Sequence, residues 1–197
     1  MLFRSDHLQL RMIYKVTGVQ TLNEMVTTFG GKARMAFDYA FFRRGPLTMA
    51  PSQLGLFTRS DKMRDRANIQ YHVQPLSLDK FGDPLHPFPA FTASVANVQP
   101  TSRGWVRLTS RDPMAKPAIQ PNYFSHETDR RLSLAGMRIA RDLVKTPEFA
   151  NHVEREELPG PHVNTEDEML DYYRQNATTT FHLMGTCRMG PESDPDR

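Results

Sequence analysis

The sequence predicts an α+β fold, in which an antiparallel or mixed sheet is flanked by helices. Three observations support this prediction. Residues 8–16 and 68–78 alternate apolar and polar side chains as strands do, residues 127–145 place apolar side chains at helical spacing, and 39% of the 197 residues are hydrophobic. Separate strand and helix patterns in a chain with enough apolar residues for one core are typical of a single sheet covered by helices.

The first quarter of the chain predicts one strand followed by two helices. Residues 8–16 form the strand, and Thr21 with Glu24 has the spacing of a helix-capping box. We expect Gly30–Gly31 to break the first helix, so that the second helix runs from Ala33 to Phe42.

The middle of the chain predicts mostly sheet. Residues 68–78 form a strand with one apolar face, and the proline-rich residues 84–89 form an extended loop because each proline fixes its own φ. Residues 91–99 and 105–110 then read as two strands, joined around residues 100–104 as a hairpin or a corner.

The last third of the chain predicts two helices and a short final strand. Residues 111–124 are punctuated by prolines and are extended, and a long amphipathic helix follows from Glu127 to Lys145. A second capping box, Thr165 with Glu168, opens a helix that ends near Asn176. The residues 178–181 that follow are strand-like.

Composition limits the function classes. The net charge of +3 comes from basic residues spread along the chain, which disfavours a nucleic-acid partner. The chain's one cysteine excludes an internal disulfide and favours a reducing compartment. No stretch resembles a signal peptide or an apolar run of about 18 residues. We therefore expect a cytoplasmic protein, with peripheral association with a membrane as the alternative.

The stretch "TTTFHLMGTCRMG", residues 178–190, places His182 at a strand-to-loop junction. Gly185 and Gly190 bracket a loop whose backbone can approach a flat or bulky group closely. From spacing alone, His182 is either a structural histidine or an accessible acid–base group. A zinc site with Cys187 lacks further ligands at suitable spacing, so we expect no metal.

The other histidines need no function at this level, with His72 considered separately below. Five lie in predicted loops or near helix starts, where we expect solvated side chains: His7, His86, His126, His152 and His162. Glycine-rich dinucleotide or phosphate loops, the nucleophile elbow and the HExxH zinc motif do not occur in the sequence.

The stretch "FHLMGTCRMGPESDP", residues 181–195, resembles the H-x-x-G-T-C-[KR]-M-G signature of the glucose-methanol-choline (GMC) oxidoreductases. The resemblance extends over essentially residues 6–197 and is nearest to the choline dehydrogenase-like branch. Further segments agree in the same order: "DHLQLR" at 6–11, "RRGPLTMAPSQLGLFTRS" at 43–60, the stretch 69–124 and "TDRRLSLAGMRIARDLV" at 128–144.

The resemblance implies an FAD-dependent oxidation of a choline-like primary alcohol to an aldehyde. His182 matches the family histidine that accepts or stabilises the hydroxyl proton while a hydride passes to the flavin. His72 matches a histidine facing the substrate pocket; the alternative for His72 is a polar residue on an exposed strand face. Gly185, Thr186 and Cys187 are implied to shape the loop beside the flavin.

The resemblance also implies a division of the chain. Residues 6–176 match the substrate-binding domain, and residues 177–197 match the start of a segment that joins the flavin domain. The dinucleotide-binding glycine loop that precedes "DHL" in the family has no counterpart in this sequence. We therefore expect a fragment that is inactive unless another segment supplies the flavin site, and the alternative is a non-enzymatic remnant or small-molecule binding module. Faces that normally contact the flavin domain predict self-association.

Overall fold

A computed structural model describes residues 5–50, 52–80, 82–185 and 189–193 of the chain. The strands are β1 Leu8–Val16, β2 Leu54–Thr58, β3 Ile69–Gln74, β4 Ala90–Asn97, β5 Trp105–Arg107, β6 Ala118–Gln120, β7 Val153–Leu158 and β8 Thr178–Thr179. The helices are α1 Leu22–Thr27, α2 Phe29–Phe42, α3 Glu127–Leu143, α4 Pro147–Ala150 and α5 Glu166–Asn176, with a 3-10 turn at Pro46–Thr48.

Six strands form the main sheet, in the order β2-β3-β4-β1-β7, with β8 also paired to β1. Every pairing within the sheet is antiparallel. Helices cover the sheet, which confirms the predicted α+β class.

Strand β1 is the centre of the sheet because three strands pair with it. Strand β4 runs along one edge of β1. The other edge is shared: β7 pairs with residues 13–16, and β8 pairs with Leu8 and Gln9 at the opposite end. The end of β1 that carries Leu8 is therefore next to the segment that follows α5.

The core lies between one face of the sheet and helices α3 and α5. Tyr71 on β3 donates a hydrogen bond to the Gly136 carbonyl at 2.6 Å, and Tyr173 on α5 donates to the Val95 carbonyl at 3.3 Å. Buried side chains from all three layers form one cluster that includes Leu10, Met12, Val95, Leu132, Leu134, Met137 and Met169. Burial of this apolar surface is the main force that holds the helices on the sheet.

The helix break predicted at Gly30–Gly31 lies instead at Thr28. Thr28 is extended, and its Oγ1 accepts a hydrogen bond from the Gly31 amide at 3.1 Å, so Thr28 caps α2. A Cβ on Gly31 would lie 2.1 Å from the Met25 carbonyl oxygen. Gly31 is thus needed for the close approach of α1 and α2, and the glycine pair belongs to the first turn of α2.

The two strands predicted at 91–99 and 105–110 do not form a hairpin. Strand β4 stays in the main sheet, and β5 pairs with β6 in a separate two-stranded sheet. The buried Asp129 carboxylate, in the first turn of α3, accepts hydrogen bonds from Asn97 Nδ2 at 3.2 Å and from the amides of Thr101 and Ser102 at 2.8 and 2.7 Å. This anchor turns the chain away from the main sheet directly after β4.

Helix α2 and strand β2 expose many apolar side chains. Met35 is the buried residue of α2. Exposed side chains on the two elements include Phe37, Phe41, Phe42, Leu54, Leu56 and Phe57. No helix in the described parts of the chain is long and apolar enough to cross a bilayer.

We expect the isolated chain to associate through the exposed apolar side chains of these two elements, because a large exposed apolar area is usually covered by another surface. Light scattering during size-exclusion chromatography should show a mass that rises with concentration. Replacing Leu54 and Phe57 with threonine, which keeps a high strand propensity, should lower that mass. A monomer at all concentrations would contradict this expectation.

Helix α3 approaches β4 closely at Gly136, so Gly136→Ala should destabilise the fold. The added Cβ would lie 2.5 Å from Cγ2 of the buried Val95. Overpacking costs about 1–3 kcal/mol, against about 1 kcal/mol gained in helix propensity. Urea unfolding followed by circular dichroism should show a net loss of up to about 2 kcal/mol.

Gly30→Ala is the matched control, because nothing lies within 4 Å of a Cβ at Gly30 in α2. This variant should be neutral or stabilising. If Gly136→Ala is as stable as Gly30→Ala, the close contact between α3 and β4 is wrong.

Candidate active site

The segment after α5 pairs with the start of β1 and then bulges. The Thr180 amide donates to the His7 carbonyl at 2.9 Å, and Ser5 and Met184 exchange two backbone hydrogen bonds of 3.1 and 3.0 Å. Only Asp6 lies between the paired positions on one strand, whereas residues 181–183 lie between them on the other. The extra residues must leave the ladder, and His182 is the middle one.

Phe181 adopts the backbone conformation that makes this bulge. Its φ is +60°, in the left-handed region that is unusual for a residue with a large side chain. Its amide donates to Thr179 Oγ1 at 2.8 Å, which offsets part of the strain. Such bulges re-aim a side chain, and here the bulge turns the His182 side chain towards His7.

The His182 ring contacts the His7 ring through their Nδ1 atoms. The two Nδ1 atoms are 3.2 Å apart, the ring centroids are 5.3 Å apart, and the planes are 76° apart. His7 is half-buried and His182 is exposed. The pair therefore presents one imidazole at the surface and holds it with a second imidazole from β1.

His72 on β3 approaches the same pair from the sheet. Its ring centroid is 6.4 Å from that of His182. In the sheet register, His72 lies opposite Ser94 on β4, which lies opposite Arg11 on β1. His72 Nε2 is buried and has no hydrogen-bond partner among the described residues. A buried polar atom without a partner costs free energy, so His72 is held in this position by the rest of the fold and not by a hydrogen bond from Nε2 to another described residue.

Asp6 fixes the junction on which both histidines depend. The residue is buried, and its Oδ2 accepts hydrogen bonds from Thr179 Oγ1 at 2.5 Å and from the Tyr123 hydroxyl. Burial, together with this carboxylate, raises the pKa of Tyr123, so the phenol remains a donor. Asp6 thus connects β1, β8 and the loop before α3.

Burial lowers the pKa of both His7 and His72, and the nearby His182 lowers each of them further. For His7, Asp6 and a hydrogen bond to the Val98 backbone act in the opposite direction without reversing the shift. A lowered imidazole pKa means that His7 and His72 are neutral at pH 7. His7 and His72 can therefore each accept a proton without first losing one.

Gly185 ends the described part of the loop, with φ of +84°, a conformation that glycine adopts without strain. The predicted cofactor-binding residues Thr186 and Cys187 lie outside the described residues. Among the residues that the structure describes, no group of three or more His, Cys, Asp or Glu side chains is arranged to hold a metal ion.

The structure brings together His182 and His72, as the resemblance implied, and adds His7, which we had interpreted as solvated. His7 directly precedes β1 and lies two and four residues before Gln9 and Arg11, so its side chain is on the same face of the sheet as theirs. His72 on β3 is on that face too, because β1 and β3 belong to one sheet. The "DHLQLR" segment was a usable signal. The strand order that connects His7 with His72 was not available from the sequence.

Two of the remaining histidines, His86 and His126, make structural contacts. His86 is half-buried, with Nδ1 3.0 Å from Ser77 Oγ and Nε2 3.2 Å from Asp79 Oδ1, so its predicted solvation was wrong. His126 caps α3 by accepting from the Thr128 amide.

Comparison with known proteins identifies the family. A model described as GMC oxidoreductase matches residues 100–196. "Alcohol dehydrogenase [acceptor]" of Pseudomonas putida is 38% identical over 156 residues, which are 79% of this chain and 28% of that protein. "Oxygen-dependent choline dehydrogenase 1" of Chromohalobacter salexigens is 31% identical over 189 residues, 96% of this chain and 34% of that protein.

Solved structures agree at the level of the fold. Formate oxidase of Aspergillus oryzae, in a study of its FAD modification, has a TM-score of 0.83 at 21% identity over 94% of this chain and 37% of its own. Pyridoxine 4-oxidase of Mesorbium loti has a TM-score of 0.75 at 24% identity over 99% of this chain and 34% of its own. The chain spans about a third of the length of these relatives. It belongs to the GMC oxidoreductases, a family of FAD-dependent enzymes.

Proposed function

We propose that this chain provides the substrate side of an FAD-dependent alcohol oxidoreductase, in which His182 accepts the hydroxyl proton of a primary alcohol. The observation that carries this proposal is the convergence of three imidazoles, His7, His72 and His182, at an exposed end of the sheet. Three histidines from distant parts of the chain are not needed to hold this edge, because the backbone hydrogen bonds and Asp6 already do so.

The residues around His182 are compatible with a flat, partly apolar ring. Phe181, Leu183 and Met184 are 75%, 57% and 52% exposed, so the segment that carries His182 presents apolar side chains to solvent. The His72 ring lies on the sheet side of the imidazole, with its centroid 6.4 Å from that of His182. We infer that Gly185 would be close to the flavin, which as a bound cofactor would accept the hydride from the alcohol carbon.

The chain's own residues would then bind the alcohol and handle its proton. The half-buried His72 ring would contact the substrate and hold it near His182. His182 would take the proton as the C–H bond breaks, because imidazole is the side chain most often used as a general base. Burial keeps His72 neutral, so it does not repel the imidazolium formed at His182.

The substrate class follows from the relatives and stays a proposal. A choline-like primary alcohol is supported by the choline dehydrogenase relatives. A quaternary ammonium group is stabilised by aromatic faces, and Phe181, which precedes His182 in the chain, exposes an aromatic ring. The rate of flavin reduction by choline should be compared with the rates for uncharged primary alcohols of similar size.

Replacing His182 tests the proposed role. In a complex of this chain with a flavin-binding segment, supplied in trans or fused before residue 5, His182→Ala should slow flavin reduction by alcohol about 10²- to 10⁴-fold. Stopped-flow absorbance of the flavin measures this rate. His152→Ala is the control, since His152 is exposed and its ring contacts the Thr17 carbonyl. Equal rates in both variants would refute the proposal.

We also expect the 197-residue chain by itself to bind no FAD. Its sequence has no glycine-rich strand–loop–helix, which supplies the backbone amides and helix N-terminus for the pyrophosphate. After incubation with FAD and gel filtration, the protein fraction should be colourless, and alcohol should cause no change. A retained flavin spectrum that bleaches with choline would show that this chain is a complete catalyst. Binding of alcohol without flavin would favour a small-molecule binding module.

A further inference from the structure

Thr179 holds the backbone of Phe181, the residue that precedes His182. The Phe181 amide donates to Thr179 Oγ1 at 2.8 Å, and Phe181 has a φ of +60°. A bulky residue keeps this conformation only where its surroundings enforce it. The backbone pairs at Thr180 and Met184 fix the two ends of the bulge but not the conformation between them. The direction in which the chain continues to His182 therefore depends on the contact between Phe181 and Thr179.

The hydroxyl of Thr179 is itself held in one orientation by Asp6. Thr179 Oγ1 donates to Asp6 Oδ2 at 2.5 Å, and a hydroxyl group has one proton and two lone pairs. With its proton on Asp6, Thr179 Oγ1 meets the Phe181 amide as an acceptor. Asp6 is 3% exposed, so solvent competes little for its carboxylate. The carboxylate thus keeps a lone pair of Thr179 directed at the Phe181 amide.

Tyr123, in the loop before α3, donates from its hydroxyl to the same carboxylate oxygen. The residues on either side of it, Asn122 and Phe124, have φ of +55° and +60°. Asn122 Nδ2 donates to the Arg103 carbonyl at 3.0 Å. The Phe124 ring contacts the buried Tyr173 ring, with the centroids 5.1 Å apart. The loop is therefore fixed to the core, and through its tyrosine it fixes the carboxylate that orients the threonine.

We propose that Tyr123, Asp6 and Thr179 are positioning residues for the proton-accepting histidine. Their hydrogen bonds, in series, hold Phe181 in its left-handed conformation and so aim the His182 imidazole. The catalytic meaning of this role rests on the proposed function, in which that imidazole accepts the hydroxyl proton. The three residues act through the histidine and not on the substrate, and they connect the exposed bulge to the core that α5 closes.

Amide exchange of the 197-residue chain tests whether these contacts hold the bulge, and it needs neither flavin nor alcohol. ¹H–¹⁵N spectra should be recorded at a concentration where sedimentation velocity shows a single species. In Thr179→Val, which removes the hydroxyl and keeps a branched side chain, the Phe181 amide should exchange about 10-fold faster. The Thr180 amide, which donates to the His7 carbonyl, should stay protected. Thr179→Ser, which keeps the hydroxyl, should retain the protection of Phe181.

Flavin reduction in the complex with the flavin-binding segment tests whether the aim of His182 matters. Thr179→Val should slow reduction about 10- to 100-fold, because a displacement of about 1 Å has an effect of this size. Thr179→Ser should keep most of the rate, and Tyr123→Phe, which removes only a hydroxyl, should slow reduction less than Thr179→Val. In a His182→Ala background, Thr179→Val should cause no further loss, because a residue that acts through His182 then has nothing to position.

Thr28→Val is the matched control. Thr28 Oγ1 also accepts a hydrogen bond from a backbone amide, that of Gly31, but at the start of α2. This variant removes a comparable hydroxyl away from the bulge. It should leave both the Phe181 exchange rate and the rate of flavin reduction unchanged.

Unchanged Phe181 exchange in Thr179→Val, or an unchanged rate of flavin reduction, would overturn the inference. An equal loss of rate with and without His182 would also overturn it, since Thr179 would then act on the fold as a whole. If His182→Ala leaves reduction unchanged, the proposed function fails, and faster Phe181 exchange in Thr179→Val still supports the role of the three residues in holding the bulge. If His182→Ala abolishes reduction and Thr179→Val leaves it unchanged, the function stands and the positioning role fails.

Discussion

The antiparallel contact between residues 178–184 and the start of β1 is the interaction on which the site depends. The two segments are about 175 residues apart in the chain, as the contact between His7 and His182 shows. Backbone hydrogen bonds to Ser5 and His7, together with the Asp6 contact to Thr179, hold them together. Without this pairing the position of His182 would not be fixed, since it is defined by the bulge that the flanking pairs enforce.

The two faces of the main sheet have different roles. The face that carries Tyr71 and Val95 is closed by α3 and α5, and close contact at Gly136 makes this arrangement rigid. The opposite face carries the row of Arg11, Ser94 and His72 and receives the bulge. Because side chains alternate along a strand, stabilising one face automatically orients the polar residues on the other. The precision of the site thus derives from the core.

Backbone strain and an unpaired buried polar atom both occur at the histidine site. Phe181 has a positive φ, and His72 Nε2 is buried without a partner in the described part of the chain. Each feature costs free energy in the chain as it stands. A ligand that contacts His72 would recover part of this cost, which is consistent with a site shaped for binding instead of for stability. Helix α2 and strand β2 also expose apolar side chains, which is a second departure from a surface optimised for stability.

The sequence by itself determined the main elements, because period and capping are local properties. Strand β1, the capping boxes of α1 and α5 and the apolar pattern of α3 all follow from residues within a few positions of each other, and the signature around His182 identified the family. Only the tertiary structure decided the rest. The pairing of strands places His7 beside His182. Helix α1 ends at Thr28 and not at Gly30–Gly31. The hydrogen bonds to Asp129 direct the chain away from the main sheet after β4, so that β5 does not pair with β4. These outcomes depend on hydrogen bonds and packing between distant segments, which no local pattern encodes.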